Sequence, residues 1–148
     1  MKYLITIFVL MLAMSAFAST NDVKALDILS KTLYHEARGE AERGIRAVAS
    51  TIVNRAMKKD KNSSAENLVK QALKRKQYSC WNGKTDLSSG KGKAWEICRE
   101  VAYEMVKGEF KTTSKHTHYY AHKIVHPYWA AGLENEVIGN HTFLTVRW

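Results

Sequence analysis

The chain has a single proline, Pro127, two cysteines, Cys80 and Cys98, and no repeat, linker or low-complexity tract. Without a linker it has room for one compact domain built on one core. It has no His-Glu-x-x-His pair, so the zinc-peptidase helix signature is missing. It has no nucleic-acid recognition motif either, which removes nucleic acid as a partner despite the charge. Acidic residues are scarce, 14 against 23 basic ones, for a formal net charge of +9. No apolar run reaches the roughly 20 residues needed to span a bilayer.

The longest apolar run is the N-terminal one. Met1-Lys2 opens the chain, the run continues from Tyr3 to Met14, and Ser15-Ala16-Phe17-Ala18 follows. A positive start, a short apolar stretch and an Ala-x-Ala ending read as a secretory signal over residues 1–18, cleaved after Ala18. Cleavage leaves residues 19–148 as an exported domain, periplasmic or extracellular, with no stable membrane anchor. Loss of Lys2 leaves 22 basic against 14 acidic residues, a balance suited to an anionic surface. In an oxidising compartment the even cysteine pair predicts a Cys80–Cys98 disulfide closing a loop. Neither cysteine has an evident base and orienting partner, which argues against a catalytic thiol.

Apolar spacing predicts a helix over residues 22–37, with Leu26, Leu29 and Leu33 on one stripe. Glu36 follows Leu33 on that inward face, where desolvation would raise its pKa and keep it protonated for acid work. Gly39 is the expected stop, in the left-handed conformation. A second helix over residues 42–57 carries Ile45, Val48, Ala49, Ile52, Val53 and Ala56 at helical spacing. Ser63 with Glu66 predicts a capping box opening a basic third helix to about Arg75. Residues 77–92, rich in Gly, Ser and Asn, predict a loop. A fourth helix over residues 93–107 buries Ile97, Cys98, Val101, Ala102 and Met105 and ends at Gly108. Beyond it, residues 117–121 and 141–146 alternate as strands and predict an antiparallel pair joined by a Trp-containing connection. The class is α+β, mainly helical, with a small sheet near the C-terminus.

The segment Leu33-Tyr34-His35-Glu36-Ala37-Arg38-Gly39-Glu40, followed by G-I-R-A-V-A-S-T-I-V-N-R, resembles the opening signature of the SleB/CwlJ-type cell-wall hydrolase family. Q-Y-S-C-W-N at residues 77–82, T-H-Y-Y-A at 117–121 and I-G-N-H-T-F at 138–143 are similar to three further elements of that family, in the same order. The four motifs together cover nearly all of residues 19–148. His35 stands where many members have Gly, and Tyr78 replaces Phe. The resemblance implies a lysozyme-like domain that cleaves peptidoglycan between N-acetylmuramic acid and N-acetylglucosamine as a lytic transglycosylase. It also implies that Glu36 is the catalytic acid. No separate wall-binding repeat domain accompanies it.

Glycosidic cleavage needs an acid that protonates the leaving oxygen. In transglycosylation the resulting carboxylate then assists the sugar's own C6 hydroxyl to attack C1. A hydrolytic route would need a second carboxylate, and Glu40 is the nearest in sequence. Its other reading, a helix-start acid favoured by the dipole, fits better. Arg38 is a candidate for a substrate carboxylate or for a salt bridge to Glu40. Gln77, Ser79 and Trp81 are expected to wall a groove, with Trp81 either stacking on a sugar or anchoring the loop. His118 and Tyr120 share one strand face and Tyr119 takes the other. Either face suits the groove, and Trp129 and His141 complete the expected substrate contacts. The rival readings are a zinc amidase using the C-terminal histidines and a noncatalytic wall-binding protein. The strand pattern and the missing helical spacing count against zinc. The expectation is a monomer acting on glycan strands without cofactor or metal.

Overall fold

The computed structural model describes residues 19–147; the expected signal segment lies outside them. Helix α1 spans Thr20–Ala37 and opens on a reciprocal cap. Ser19 Oγ accepts from the Asp22 N–H at 3.1 Å, and Asp22 Oδ2 accepts from the Ser19 N–H at 3.3 Å. Its inward stripe is Ala25, Ile28, Leu29, Leu33 and Ala37. The helix does not end as the sequence predicts. Arg38 keeps a right-handed φ of −59°, and Gly39 is not among the residues at positive φ. The turn is instead closed by the Glu40 N–H bonded to Ala37 O at 2.9 Å.

Helix α2, Glu42–Asp60, is the central one, burying Ile45, Val48, Ala49, Ile52 and Ala56. Leu29, Leu33, Ile45 and Ile52 are fully buried, and burial of each contributes about 2 kcal/mol. Arg46 on α2 makes two 2.8 Å bonds to the Glu104 carboxylate on α4, a fork geometry that fixes the two helices against each other. Helix α3, Ala65–Leu73, is capped one residue later than expected. Ser64 accepts from the Asn67 N–H at 3.4 Å, so Ser63 and Glu66 do not form the box. A short 3₁₀ turn, Ser79–Trp81, sits inside the expected loop. Helix α4, Gly92–Lys107, ends where Gly108 takes φ 72°.

Three antiparallel strands follow: β1 His118–Ala121, β2 Asn135–Ile138 and β3 His141–Leu144, in the order β1-β3-β2. The expected β1–β3 pairing is present, with Tyr119 opposite Phe143 and Ala121 opposite His141. Strand β2 was not expected, because Asn135–Ile138 is short and mostly exposed. A second 3₁₀ turn, Tyr128–Ala130, lies in the connection. The class is mainly helical α+β with the sheet near the C-terminus, as the sequence predicts.

The cysteines differ from expectation. Cys80 and Cys98 are free thiols, so the predicted disulfide is not formed. Burial pushes the Cys98 thiol up to about 12. Burial, then the neighbouring Glu36, pushes the Cys80 thiol well above its ordinary range. Both stay protonated at neutral pH, which leaves neither as a nucleophile.

Candidate active site

Glu36 occupies the last turn of α1, half-buried, and three donors from two distant segments converge on it. Its Oε1 accepts from the Cys80 N–H at 2.8 Å and from Ser79 Oγ at 3.1 Å. Its Oε2 accepts from the Tyr119 hydroxyl at 2.5 Å. Burial, and next the Glu36 charge, raises the Tyr119 phenol well above its usual range, so the hydroxyl keeps its proton and remains a donor.

The segments that bring these donors are held by Asn54 and Arg55 on α2. The buried Arg55 donates Nε to Thr117 O at 2.5 Å, hydrogen-bonds Gln77 Oε1, and lies 5.4 Å from the centre of the Tyr78 ring. One guanidinium thus ties the strand that carries Tyr119 to the turn that carries Ser79 and Cys80. Asn54 Nδ2 bonds Ser114 O at 2.7 Å and His116 O at 2.8 Å, fixing the approach to β1. Neither residue was singled out from the sequence. Their place in the quoted A-V-A-S-T-I-V-N-R stretch was the available signal.

Trp81 is 8% exposed, and its indole N–H donates to Thr32 Oγ1 at 2.8 Å. It anchors the loop to α1 and offers no ring face to a sugar. The Gln77 carbonyl oxygen is taken by Arg55. Arg38 is exposed with its guanidinium 5.7 Å from the Tyr34 ring centre, and it makes no ion pair with Glu40. On β1, Tyr119 is the residue that faces Glu36. His118 and Tyr120 turn to the other side, with ring centres 5.8 and 6.1 Å from that of Trp129.

Glu40 is placed quite differently from Glu36. Its side chain is 6% exposed. It accepts from the Asn140 backbone N–H at 3.2 and 3.3 Å and from Asn140 Nδ2 at 3.1 Å. Two glycines make room for it: a Cβ on Gly139 would lie 1.8 Å from Glu40 Oε2, and one on Gly44 would lie 2.6 Å from Glu40 Cβ. Glu40 therefore fastens the β2–β3 turn to the turn between α1 and α2. His141 Nδ1 lies 3.4 Å from Glu40 Oε1 yet has no hydrogen-bond partner. Burial lowers the His141 pKa, against the pull of Glu40 and Glu36, so the contact is a close packing of a neutral ring rather than an ion pair. The His141 ring centre sits 5.0 Å from that of Tyr119 in an edge-on arrangement, behind the phenol that meets Glu36. Gly139 and Asn140 were also overlooked in the sequence, although they belong to the quoted I-G-N-H-T-F element.

The histidines do not converge. His118 packs on Trp129, His122 pairs with Thr142, and His141 lies beside Glu40. Among the described residues no group of three or more His, Cys, Asp or Glu is placed to hold a metal ion.

The sequence profile of the family described as Cell Wall Hydrolase matches residues 39–144. The chain belongs to the cell wall hydrolase family. The matched span begins at Gly39, just past Glu36, and contains every residue that donates to Glu36. No curated protein and no solved structure matches the chain. Peptidoglycan is the substrate class the family implies. The described part of this cell wall hydrolase contains no helix long and apolar enough to cross a membrane.

The half-buried His118 gives this cell wall hydrolase a pH-dependent stability. Burial, aided by Arg55 and Lys58, pushes His118 down to about 4 from its ordinary 6.5. Between those values the unfolded chain binds the proton and the folded one does not, so stability falls as pH drops from 6.5 towards 4. Thermal unfolding followed from pH 7 to pH 4 should show that decline, and His118→Gln should make it shallower, with His141, whose pKa burial also lowers, contributing to what remains. An unchanged slope in the variant would assign the decline to other groups.

Proposed function

We propose that this is an exported lytic transglycosylase that cuts peptidoglycan between N-acetylmuramic acid and N-acetylglucosamine, with Glu36 as the one general acid and base. The observation that carries the reading is the inequality of the two carboxyls. Glu40 is sealed at 6% exposure with Asn140 on both its oxygens. It is therefore unavailable as the second carboxylate that hydrolysis requires at roughly 5–5.5 Å for retention or roughly 6.5–9.5 Å for inversion.

Glu36 suits a one-acid route. Oε1 already accepts two hydrogen bonds, whereas Oε2 accepts one and keeps a lone pair for a proton. The proton on Oε2 passes to the glycosidic oxygen as the C1–O bond breaks. The carboxylate then takes the proton of the C6 hydroxyl as O6 bonds to C1. A 1,6-anhydro sugar forms, no water is consumed, and the acid is restored. Tyr119 and Ser79 hold the carboxyl in one rotamer through both steps, and such positioning lowers the entropy cost of reaction. Tyr120, His118 and Trp129 form an aromatic cluster on the far side of β1 that suits sugar contacts away from the scissile bond. The enzyme acts as a monomer, without cofactor, in the periplasm or outside the cell.

Mass spectrometry of products from purified peptidoglycan tests the proposal. Anhydro-muramic ends are the expected result. Reducing ends would make the enzyme a hydrolase, and free peptides with intact glycan would make it an amidase.

A further inference from the structure

The excess positive charge of the chain is concentrated in one place. Residues 57–76 hold seven cations and only two acids, Asp60 and Glu66. Lys58, Lys59 and Lys61 close α2, Lys70 lies on α3, and Lys74, Arg75 and Lys76 follow it; all seven are exposed. The two helices bring these cations together in space. Lys59, Lys70 and Lys74 line a shallow depression of about 500 Å³ with Gln71 and Leu73. Asp60 at its base pairs with Lys70 at 2.5 Å and accepts from Gln71 at 2.7 Å, so it cancels one of the seven positive charges.

The patch runs directly into the Glu36 site. The Gln77 N–H bonds Lys74 O at 3.1 Å, closing a tight turn in which Lys76 is held at φ 64°. A non-glycine residue held in that region is sparsely populated and persists where surrounding contacts fix it. Here the fixing contact is Arg55 on Gln77, the same guanidinium that steadies the Tyr119 strand. Ser79 and Cys80, which bond Glu36, come immediately after. On the other side, Lys58 is near enough to β1 to act electrostatically on His118.

We propose that this basic surface docks the stem-peptide carboxylates of peptidoglycan and so holds the wall polymer beside Glu36. The sugars of a glycan strand are neutral, and its recurring charge is carried by the peptides. A single exposed ion pair contributes little, so a row of cations is useful chiefly against an anion that repeats along a polymer. Continuity with the Ser79–Cys80 turn favours the wall over a lipid surface, although Met57 and Leu73 are also exposed there. The inference rests on peptidoglycan being the substrate, but not on which bond is cut or how.

The test is co-sedimentation of the full chain and of its Lys74→Gln/Arg75→Gln/Lys76→Gln variant with three probes. These are intact peptidoglycan, chitin as a neutral N-acetylglucosamine polymer that carries no peptides, and phosphatidylglycerol vesicles. The expected result is an approximately ten-fold weaker association of the variant with intact peptidoglycan at low salt, a difference abolished by high salt and absent on the neutral polymer. Cleavage of a short soluble glycan fragment should be unchanged in the variant. Equal binding of both proteins to intact peptidoglycan would overturn the proposal. So would an equal loss on the neutral polymer, or a loss seen only with vesicles. Reducing ends among the products would refute transglycosylation and leave this binding result standing.

Discussion

Glu36→Gln should reduce cleavage of purified peptidoglycan by about 10³-fold or more while leaving the fold intact, since general acid–base catalysis contributes typically 10²–10⁴-fold and one group serves both steps here. The amide keeps the shape of the acid but has no proton to give and cannot take one from the C6 hydroxyl. Its local contacts survive. The amide oxygen replaces Oε1 as acceptor for Cys80 N–H and Ser79 Oγ, and the Tyr119 hydroxyl rotates to accept from the amide nitrogen. Product release followed by chromatography measures the first claim, and thermal unfolding the second. A variant that retains a tenth of the activity at unchanged stability would show that Glu36 is not the acid.

The main helices were legible because each carries a strict apolar stripe. Leu29 and Leu33 on α1, the Ile45–Ala56 face of α2, and Val101, Ala102 and Met105 on α4 are all buried as their spacing requires. What failed were local details that tertiary contacts decide. Gly39 invited a left-handed stop, but the chain leaves α1 in right-handed geometry because Glu40 must swing towards Asn140. Ser63 and Ser64 are equivalent as caps in sequence, and only the bond to the Asn67 N–H separates them. Strand β2 is too short and exposed to announce itself, and it exists because β3 offers it an edge.

Within the site, the sequence pointed to the acid and to the segments around it, while the role of each residue depended on depth. Trp81 could stack or anchor, and its indole bond to Thr32 anchors it. The alternation on β1 left two faces open, and the Tyr119 bond to Glu36 distinguishes them. Arg55 is unremarkable in sequence because its partners, a carbonyl at residue 117 and a side chain at residue 77, are far along the chain. Buried polar residues of this kind join motifs that the sequence shows only as separate strings.

The same reasoning makes Gly139 the most sensitive position outside the acid. Gly139→Ala should destabilise the fold by about 3 kcal/mol and depress activity with it. Two effects add. At φ 58° a side chain is strained, by about 1–2 kcal/mol. The new Cβ would also lie 1.8 Å from Glu40 Oε2, in a pocket with no slack because Gly44 closes the other side. Relief requires Glu40 to move, which frees the β2–β3 turn and shifts His141 behind Tyr119. A double-mutant cycle separates the two causes. Glu40→Ala alone removes the bonds to Asn140 and costs about 1 kcal/mol, since that residue is exposed and water replaces the acceptor. Combined with Gly139→Ala it also removes the clash, so the double variant should be no less stable than Gly139→Ala alone, with a coupling of about 1–3 kcal/mol. Denaturant unfolding of the four proteins gives that coupling directly. Simple additivity would mean that backbone strain accounts for the whole effect and that Glu40 is not wedged against the turn.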